Sequence, residues 1–179
     1  HHSNPLKIAI SKFKRNGGRF ISINPVRTGY SAIADEWVPI KPGTDGALFL
    51  ALIHQIINLG LYDRDFLVRY TNSAQLVNGN KASTEFGMFM RAEVPEEEGC
   101  FDPQNKLWGD RRTHNAGVTH AEGADPYRRG ECELPDGTKV KPAFQLLVER
   151  VKDYTPKWAS AITGVPADEC AMLTGSMGL

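Results

Sequence analysis

The sequence has few of the residues that build metal clusters and disulfide frameworks. It contains 3 cysteines, and no two of them stand in a C-x-x-C arrangement. An odd number of widely spaced cysteines predicts neither a disulfide framework nor an iron–sulfur or zinc-knuckle motif within these residues. His114 and His120 lie in a stretch rich in Gly and Asp, with a spacing that fits no helical i, i+4 pair. We therefore interpret them as loop residues and predict no metal ligand.

Long apolar runs and an excess of one charge are also absent. No stretch approaches the roughly 20 apolar residues that cross a membrane, so no direct membrane insertion is predicted. The 21 basic and 21 acidic residues cancel, which removes the charge argument for a nucleic-acid partner. The residues before Asp35 include several Lys and Arg but no acid. They indicate either a surface for an anion or a solvated helix face.

The common catalytic motifs are missing as well. The sequence has no G-x-S-x-G, no Walker loop and no H-E-x-x-H, so we predict no catalytic residue in this chain. The chain begins with His1-His2 rather than with Met and shows no signal for a final helix cap. We therefore expect a piece of a longer chain. No signal-peptide pattern is present, and the sequence assigns no compartment.

What the sequence does contain is an alternation of helices and short strands. Apolar spacing and end signals predict helices over residues 5–15, 45–59 and 63–70, with strands near 20–23 and 37–40 between the first two. Thr44 or Asp45 is predicted to cap the second helix. The pattern predicts an α/β fold, a partial Rossmann-like parallel sheet flanked by helices. The predicted apolar faces of the first two helices carry Leu6, Ile10, Phe13, Leu48, Leu52, Ile53, Ile56 and Leu59.

Residues 72–141 differ in composition from the segments on either side. They are rich in Gly, Pro, Asp and Asn, and about 70 residues exceed any ordinary loop. We predict a long irregular insertion with hairpins of its own, one of them closed by a two-residue turn in "LPDGTKV". Helical spacing then returns. The predicted division is a βα core at 1–71, the insertion at 72–141 and a helical continuation at 142–179.

Polar, turn-forming residues follow the first predicted strand. Ligands of open α/β sheets lie beyond the carboxyl ends of the strands. An amide there can bond a ribose hydroxyl, a proline turns the chain sharply, and an arginine can neutralise phosphate through a fork of donors. We call this segment, residues 24–28, the first loop; it consists of Asn24, Pro25, Val26, Arg27 and Thr28.

A second polar segment follows the second predicted strand, and we call residues 43–45 the second loop. Gly43 allows close approach of the backbone, and Thr44 and Asp45 open a helix whose free N–H groups form a polar or anion site. A carboxylate at position 45 can accept two hydrogens from a guanine edge. From residue chemistry alone, the residues of both loops fit either ligand contacts or ordinary capping and turn formation.

Four motifs in the chain resemble those of the molybdopterin oxidoreductases, the catalytic subunits of the dimethyl-sulfoxide-reductase superfamily. They stand in the family's order with matching local spacing. The family pattern is D-P-R-x-T after a strand, A-x-x-A-D, P-G-T-D opening a helix, and Y-T-P-E-W-A with I-T-G-V-P-A. In this chain they read N-P-V-R-T at 24–28, S-A-I-A-D at 31–35, P-G-T-D at 42–45, and Y-T-P-K-W at 154–158 with I-T-G-V-P-A at 162–167.

The resemblance implies a function for both loops. The whole protein would bind molybdenum or tungsten through two molybdopterin guanine dinucleotides, and this part would hold the guanosine end of one of them. The first loop would contact the ribose and phosphates, and the second loop the guanine. His2 and Ser3 would approach the pyrophosphate. Two departures bear on this site: Asn24 replaces the usual Asp, and Val26 replaces the usual first Arg, which leaves Arg27 as the cation of the motif.

The resemblance also implies partners and a reaction class. The whole enzyme would resemble formate dehydrogenase or an anaerobic nitrate or sulfur-compound reductase. An iron–sulfur cluster is expected in a preceding part of the polypeptide. The expected partners are the remaining domains of that polypeptide and electron-transfer iron–sulfur subunits, and this segment alone is expected to be inactive. The alternative is a free-standing nucleotide-binding or regulatory α/β module without redox activity.

Overall fold

The computed structural model describes residues 4–91, 101–102, 107–109, 116–117, 132–133 and 137–177. The helices of this part of the chain are α1 (Asn4–Arg15), α2 (Asp45–Leu59), α3 (Arg64–Tyr70), α4 (Ala143–Val151), α5 (Pro156–Thr163) and α6 (Ala167–Met177), with a 3-10 helix at Gly29–Ile33. The strands are β1 (Ile21–Ile23), β2 (Glu36–Val38), β3 (Leu76–Asn78), β4 (Phe101–Asp102), β5 (Leu107–Gly109), β6 (Ala116–Gly117), β7 (Cys132–Glu133) and β8 (Lys139–Pro142).

The chain divides into two compact units. Residues 1–60 and 153–178 form the first unit, and residues 61–152 form most of the second. The first unit contains the parallel pair β1–β2, in which Ile21 lies opposite Glu36 and Ile23 opposite Val38. Parallel neighbours need a crossover, and here the crossover carries the 3-10 helix. The predicted mixture of helices with a small parallel sheet is confirmed.

The core of the first unit lies beneath this parallel pair. Gly60 (φ 67°) and Gly164 (φ 78°), both in the left-handed conformation, end α2 and α5. Thr155 caps α5, with its Oγ1 accepting from the backbone N–H of Trp158 at 3.2 Å. The core side chains come from β2, the segment after it, α2, the α5–α6 connection and α6, and comprise Val38, Ile40, Leu48, Leu52, Val165, Cys170 and Leu173.

The second unit is built on antiparallel strands. β8 is the central strand of a three-stranded sheet between β3 and β7, and β4, β5 and β6 form a second antiparallel sheet. The predicted hairpin around "LPDGTKV" exists, because β7 pairs with β8. Glu133 pairs with Lys139, and Gly137 has φ 81°. Residues 134–136 lie outside the described residues, so the two-residue turn stays a prediction. The division into 1–71, 72–141 and 142–179 stays a prediction.

Three apolar side chains predicted on buried helix faces are exposed. Within the part of the chain that the structure describes, Leu6 and Phe13 on α1 are 48% and 52% exposed, and Leu59 on α2 is 62% exposed. The same faces do bury Ile10, Leu48 and Leu52. Helical periodicity identifies an apolar stripe but not how much of it a neighbouring element covers, and here only part of each stripe is covered.

Candidate functional site

The two loops follow strands that run in the same direction. The parallel pairing of β1 and β2 places both carboxyl ends at one edge of the sheet. The backbone N–H of Asn24 donates to the carbonyl of Val38 at 3.1 Å, so the ladder extends to the first residue of the first loop. The second loop follows β2 after residues 39–42. Pairing of the strands thus puts the origins of both loops at the same edge.

The first loop is shaped by its own side chain and backbone. The Oδ1 atom of Asn24 accepts from the N–H of Val26 at 3.1 Å, which closes an Asx turn. The N–H of Thr28 donates to the carbonyl of Val26 at 2.9 Å, and the carbonyl of Thr28 accepts from the N–H of Ser31 at 3.1 Å. One lone pair of the Asn24 side chain is therefore used within the loop. Val26, where the family has Arg, is exposed.

Trp37 of β2 fixes two groups of the first loop. Its indole Nε1–H donates to the backbone carbonyl of Asn24 at 2.9 Å. The Cζ atom of Arg27 lies 5.9 Å from the centre of the Trp37 ring, within the range of a cation–π contact. The guanidinium is exposed and forms no ion pair within the described residues. Arg27 thus has a defined position while its N–H donors stay available to an anion.

The second loop turns through a left-handed glycine. Gly43 has φ 76°, and no atom lies within 4 Å of the place where a Cβ would stand, so conformation rather than crowding requires glycine here. The backbone N–H and the Oγ1 of Thr44 both donate to the carbonyl of Lys41, at 3.3 and 2.7 Å. Thr44 is the N-cap residue of α2, one of the two predicted alternatives, but its side chain makes no capping hydrogen bond because its hydroxyl donates back to Lys41.

The start of α2 presents unused polar groups. The carboxylate of Asp45 is exposed and forms no hydrogen bond or ion pair within the residues that the structure describes. In the same part of the chain, the backbone N–H groups of Asp45 and Gly46 have no acceptor, because the first helical bonds at this end come from Ala47 and Leu48 to Thr44. The helix dipole adds partial positive charge here. The second loop therefore combines an acceptor side chain with free donors.

Asp35, the last residue of the S-A-I-A-D motif, closes the connection between the strands. Its carboxylate accepts from the N–H of Phe20 at 2.8 Å and pairs with Nζ of Lys14 at 2.8 Å. The hydrogen bond from Lys14, followed by that from Phe20, lowers the pKa of Asp35 below its ordinary value near 3.8. In the same connection, Ser31 is buried and its hydroxyl lies 2.6 Å from that of Ser22. This motif holds the ends of the first loop in place.

The structure describes eight of the ten predicted cofactor-binding residues. Residues 24–28 and 43–45 lie at the sheet edge, whereas His2 and Ser3 lie outside the described residues. Sequence reasoning missed Trp37, which it took only for a strand residue, and Lys41, whose carbonyl shapes the second loop. A tryptophan in a short strand next to a polar loop was the available signal, because its N–H needs an acceptor.

Neither a membrane span nor a metal site occurs among the described residues. None of the described helices has the length and apolar character needed to cross a membrane. Among those same residues, no cluster of three or more His, Cys, Asp or Glu side chains is arranged to hold a metal ion. His114 and His120 lie outside the described residues.

Comparison with known proteins identifies relatives along the whole chain. No protein-family model matches. A sulfite dehydrogenase subunit of Allochromatium vinosum is 63% identical over 179 residues, which is 100% of this chain and 18% of that protein. The alpha subunit of perchlorate reductase from Dechloromonas aromatica is 31% identical over 88% of this chain and 20% of that protein. The molybdopterin-containing subunit of thiosulfate reductase from Salmonella typhimurium is 36% identical over 47% of this chain and 11% of that protein.

These relatives are catalytic subunits of molybdopterin oxidoreductases, and this chain spans about a fifth of the length of the first two. The match includes the segments whose four motifs carried the resemblance. The family predicted from the sequence is therefore confirmed. The chain belongs to the molybdopterin oxidoreductases, and it corresponds to a segment of their catalytic subunit.

Proposed function

We propose that this segment holds the guanosine end of a molybdopterin guanine dinucleotide. The observation that carries the proposal is the parallel pairing of β1 and β2, which starts both loops from one edge of the sheet. That edge is where nucleotides bind in open α/β sheets. Family membership supplies the cofactor class, since one relative is named as molybdopterin-containing.

The chemistry of the first loop fits the sugar and phosphate part of such a ligand. Arg27 offers exposed donors while its position is set by the Trp37 ring, and a planar guanidinium can bind phosphate through two donors. Asn24 and Thr28 add short polar side chains beside it. The loss of Asp at position 24 and of Arg at position 26 removes opposite charges, so the net charge of the motif is retained.

The chemistry of the second loop fits a guanine edge. Guanine presents a ring N–H and an amino group side by side, and the free carboxylate of Asp45 can accept from both. The unused N–H groups of Asp45 and Gly46 suit an acceptor such as a carbonyl oxygen. The open space beside Gly43 lets a flat ring approach the backbone. We assign His2 and Ser3 to the pyrophosphate on the basis of the resemblance alone.

The test is the nucleotide content of the full-length protein carrying Asp45→Ala. GMP released by acid hydrolysis reports the guanine dinucleotide directly. A charge-assisted hydrogen bond contributes about 1.5–3 kcal/mol, so we expect the nucleotide that Asp45 contacts to be largely lost and GMP per polypeptide to fall to about one half, the share of the second guanine dinucleotide. Asp168→Ala is the matched control, because Asp168 is also an exposed acid in the first turn of a helix of the same unit. Equal GMP in wild type and Asp45→Ala would refute the guanine contact.

We further propose that the whole protein is a molybdopterin-dependent oxidoreductase acting on sulfite. The support is the 63% identity to the sulfite dehydrogenase subunit of Allochromatium vinosum along all of this chain. The metal of the cofactor, molybdenum or tungsten, supplies the redox chemistry, and this segment binds and orients the nucleotide end. Because relatives are named as subunits, we propose electron-transfer iron–sulfur subunits as partners, and an iron–sulfur cluster elsewhere in the same polypeptide.

Purified full-length enzyme tests the substrate proposal. With an artificial electron acceptor in excess, we expect reduction of the acceptor to depend on sulfite and not on formate or dimethyl sulfide. The reductase alternatives are tested by supplying perchlorate or thiosulfate as the electron acceptor together with a reduced artificial electron donor. Turnover of one of these substrates without turnover of sulfite would contradict the sulfite proposal and leave the nucleotide site untouched.

A further inference from the structure

The I-T-G motif at residues 162–164 has no role in the site described so far. It lies about 120 residues after the second loop in the sequence. In the structure, the backbone N–H of Lys41 donates to the carbonyl of Thr163 at 3.0 Å. Lys41 is the residue whose own carbonyl accepts both bonds from Thr44. A single residue therefore connects the end of α5 with the second loop.

The end of α5 is a rigid support for this connection. Thr163 is fully buried, and its hydroxyl donates to the carbonyl of Ala159 at 2.8 Å and accepts from the N–H of Val165 at 3.1 Å. Gly164 has φ 78° and donates its N–H to the carbonyl of Ser160 at 3.0 Å. The carbonyl that holds Lys41 belongs to the peptide between Thr163 and Gly164. Its plane is set by ψ of Thr163 on one side and by φ of Gly164 on the other, so the left-handed conformation of Gly164 fixes this peptide relative to the chain that follows.

The side chain of Lys41 also lies against this helix end. A Cβ placed on Gly164 would stand 3.4 Å from Cε of Lys41, an ordinary van der Waals distance. A small side chain at position 164 therefore fits in space. What it must adopt is the positive φ, which alanine takes at a cost and which asparagine tolerates better.

We propose that Thr163 and Gly164 are positioning residues for the nucleotide site, acting through Lys41 on the second loop. The proposal rests on the proposed function of that loop. The helix end sets the peptide of Thr163, that carbonyl sets Lys41, and the Lys41 carbonyl sets Thr44 next to Asp45. This chain of bonds explains why the I-T-G and P-G-T-D motifs occur together although they are distant in sequence.

The experiment compares substitutions at two left-handed glycines of the same unit in the full-length protein. Gly164→Ala and Gly60→Ala introduce the same backbone strain at the end of a helix, but Gly60 ends α2 far along the helix from the second loop. We expect Gly164→Ala to lower GMP per polypeptide by about a quarter, half the loss expected for Asp45→Ala, because the contact is weakened and not deleted. Gly60→Ala should lower Tm by a similar amount and leave GMP per polypeptide unchanged. Gly164→Asn should retain most of the GMP that Gly164→Ala loses.

A double substitution separates this inference from the proposed function. If Gly164 acts through Asp45, Gly164→Ala should cause no further loss of GMP in the Asp45→Ala background. A loss in Asp45→Ala without any in Gly164→Ala would overturn the positioning role and keep the guanine contact. Equal GMP losses in Gly164→Ala and Gly60→Ala would also overturn it, since only general stability would then be involved. No loss in Asp45→Ala would instead refute the proposed function itself.

Discussion

The two loops of the nucleotide site are held in place in different ways. The first loop is held by its own Asx turn, by Trp37 and Val38 of the adjacent strand and by the Asp35 contacts, so its supports all lie within residues 14–38. The second loop is held through Lys41 by Thr163, from a different part of the sequence. Local contacts form with little loss of chain entropy, whereas a distant contact requires a long loop to close. The second loop should therefore be the more sensitive of the two to damage elsewhere in the unit.

Two further predictions concern Trp37 and Asp35. Removing the support that Trp37 gives to the first loop should have the larger effect of the two. Trp37→Leu deletes both the indole N–H that bonds Asn24 and the ring beneath Arg27. We expect a loss of about 2–3 kcal/mol in the free energy of unfolding, below the usual range for Trp→Ala because Trp37 is only half-buried. GMP per polypeptide should also fall. Trp37→Phe keeps an aromatic ring and should lose less stability and less GMP than Trp37→Leu. Thermal unfolding and GMP release measure the two quantities.

Trp158→Leu is the matched control for this comparison. Trp158 is a half-buried tryptophan of the same unit, stacked on Tyr154 with ring centres 4.7 Å apart and located at the start of α5. It should lower Tm without a selective loss of GMP. If Trp37→Leu keeps a full complement of GMP, the first loop does not need Trp37, and the contrast between a locally supported and a distantly supported loop fails.

The smallest expected effect concerns Asp35, which closes the connection that carries the first loop. Because its pKa is lowered in the folded protein, the charged carboxylate contributes stability above the unfolded value near 3.8, and this contribution is lost as pH falls through the folded pKa. Asp35→Asn should lower Tm slightly at pH 7, by an amount that stays constant down to about pH 4 and then shrinks. The site is exposed, so salt should reduce the difference.

Lys14→Met tests the same contact from the other side. Since Lys14 and Asp35 form one ion pair, the double variant should be no less stable than the less stable single variant. Denaturant unfolding of the full-length protein between about pH 4 and pH 7 would measure the stability of the single and double variants. If the difference in stability between wild type and Asp35→Asn grew as the pH fell, a group other than Asp35 would determine the loss of stability in acid.

Much of the first unit was predictable because its signals are local. Gly60 and Gly164 mark helix ends by a backbone conformation that few other residues adopt, and alternating helices and strands predicted the parallel pair. The exposed Leu6 and Leu59 were not predictable, since amphipathic spacing does not report which part of a stripe a neighbour covers. The hairpin between β7 and β8 was predictable as well, because a Pro-Asp-Gly sequence is a local turn signal.

The site was predictable in its residues but not in its supports. Asn24, Arg27 and Asp45 were found from motif order and from their place after strands. Trp37 acts through an indole N–H, for which a tryptophan in a short strand beside a polar loop was the available signal. Thr163 acts through a backbone carbonyl, which leaves no pattern in the sequence. The Thr44 hydroxyl can either cap the helix or, as it does, donate back to Lys41, and the sequence alone does not decide between these bonds.

The bond between Lys41 and Thr163 also sets an order of events during synthesis. A ribosome adds roughly 5–20 residues per second, so the about 120 residues between these two positions take on the order of ten seconds to appear. During that interval β1 and β2 can already pair and the first loop can form. Thr163, which holds the second loop through Lys41, has not yet been synthesised. A nucleotide site completed this late would receive its cofactor only after the whole unit has left the ribosome.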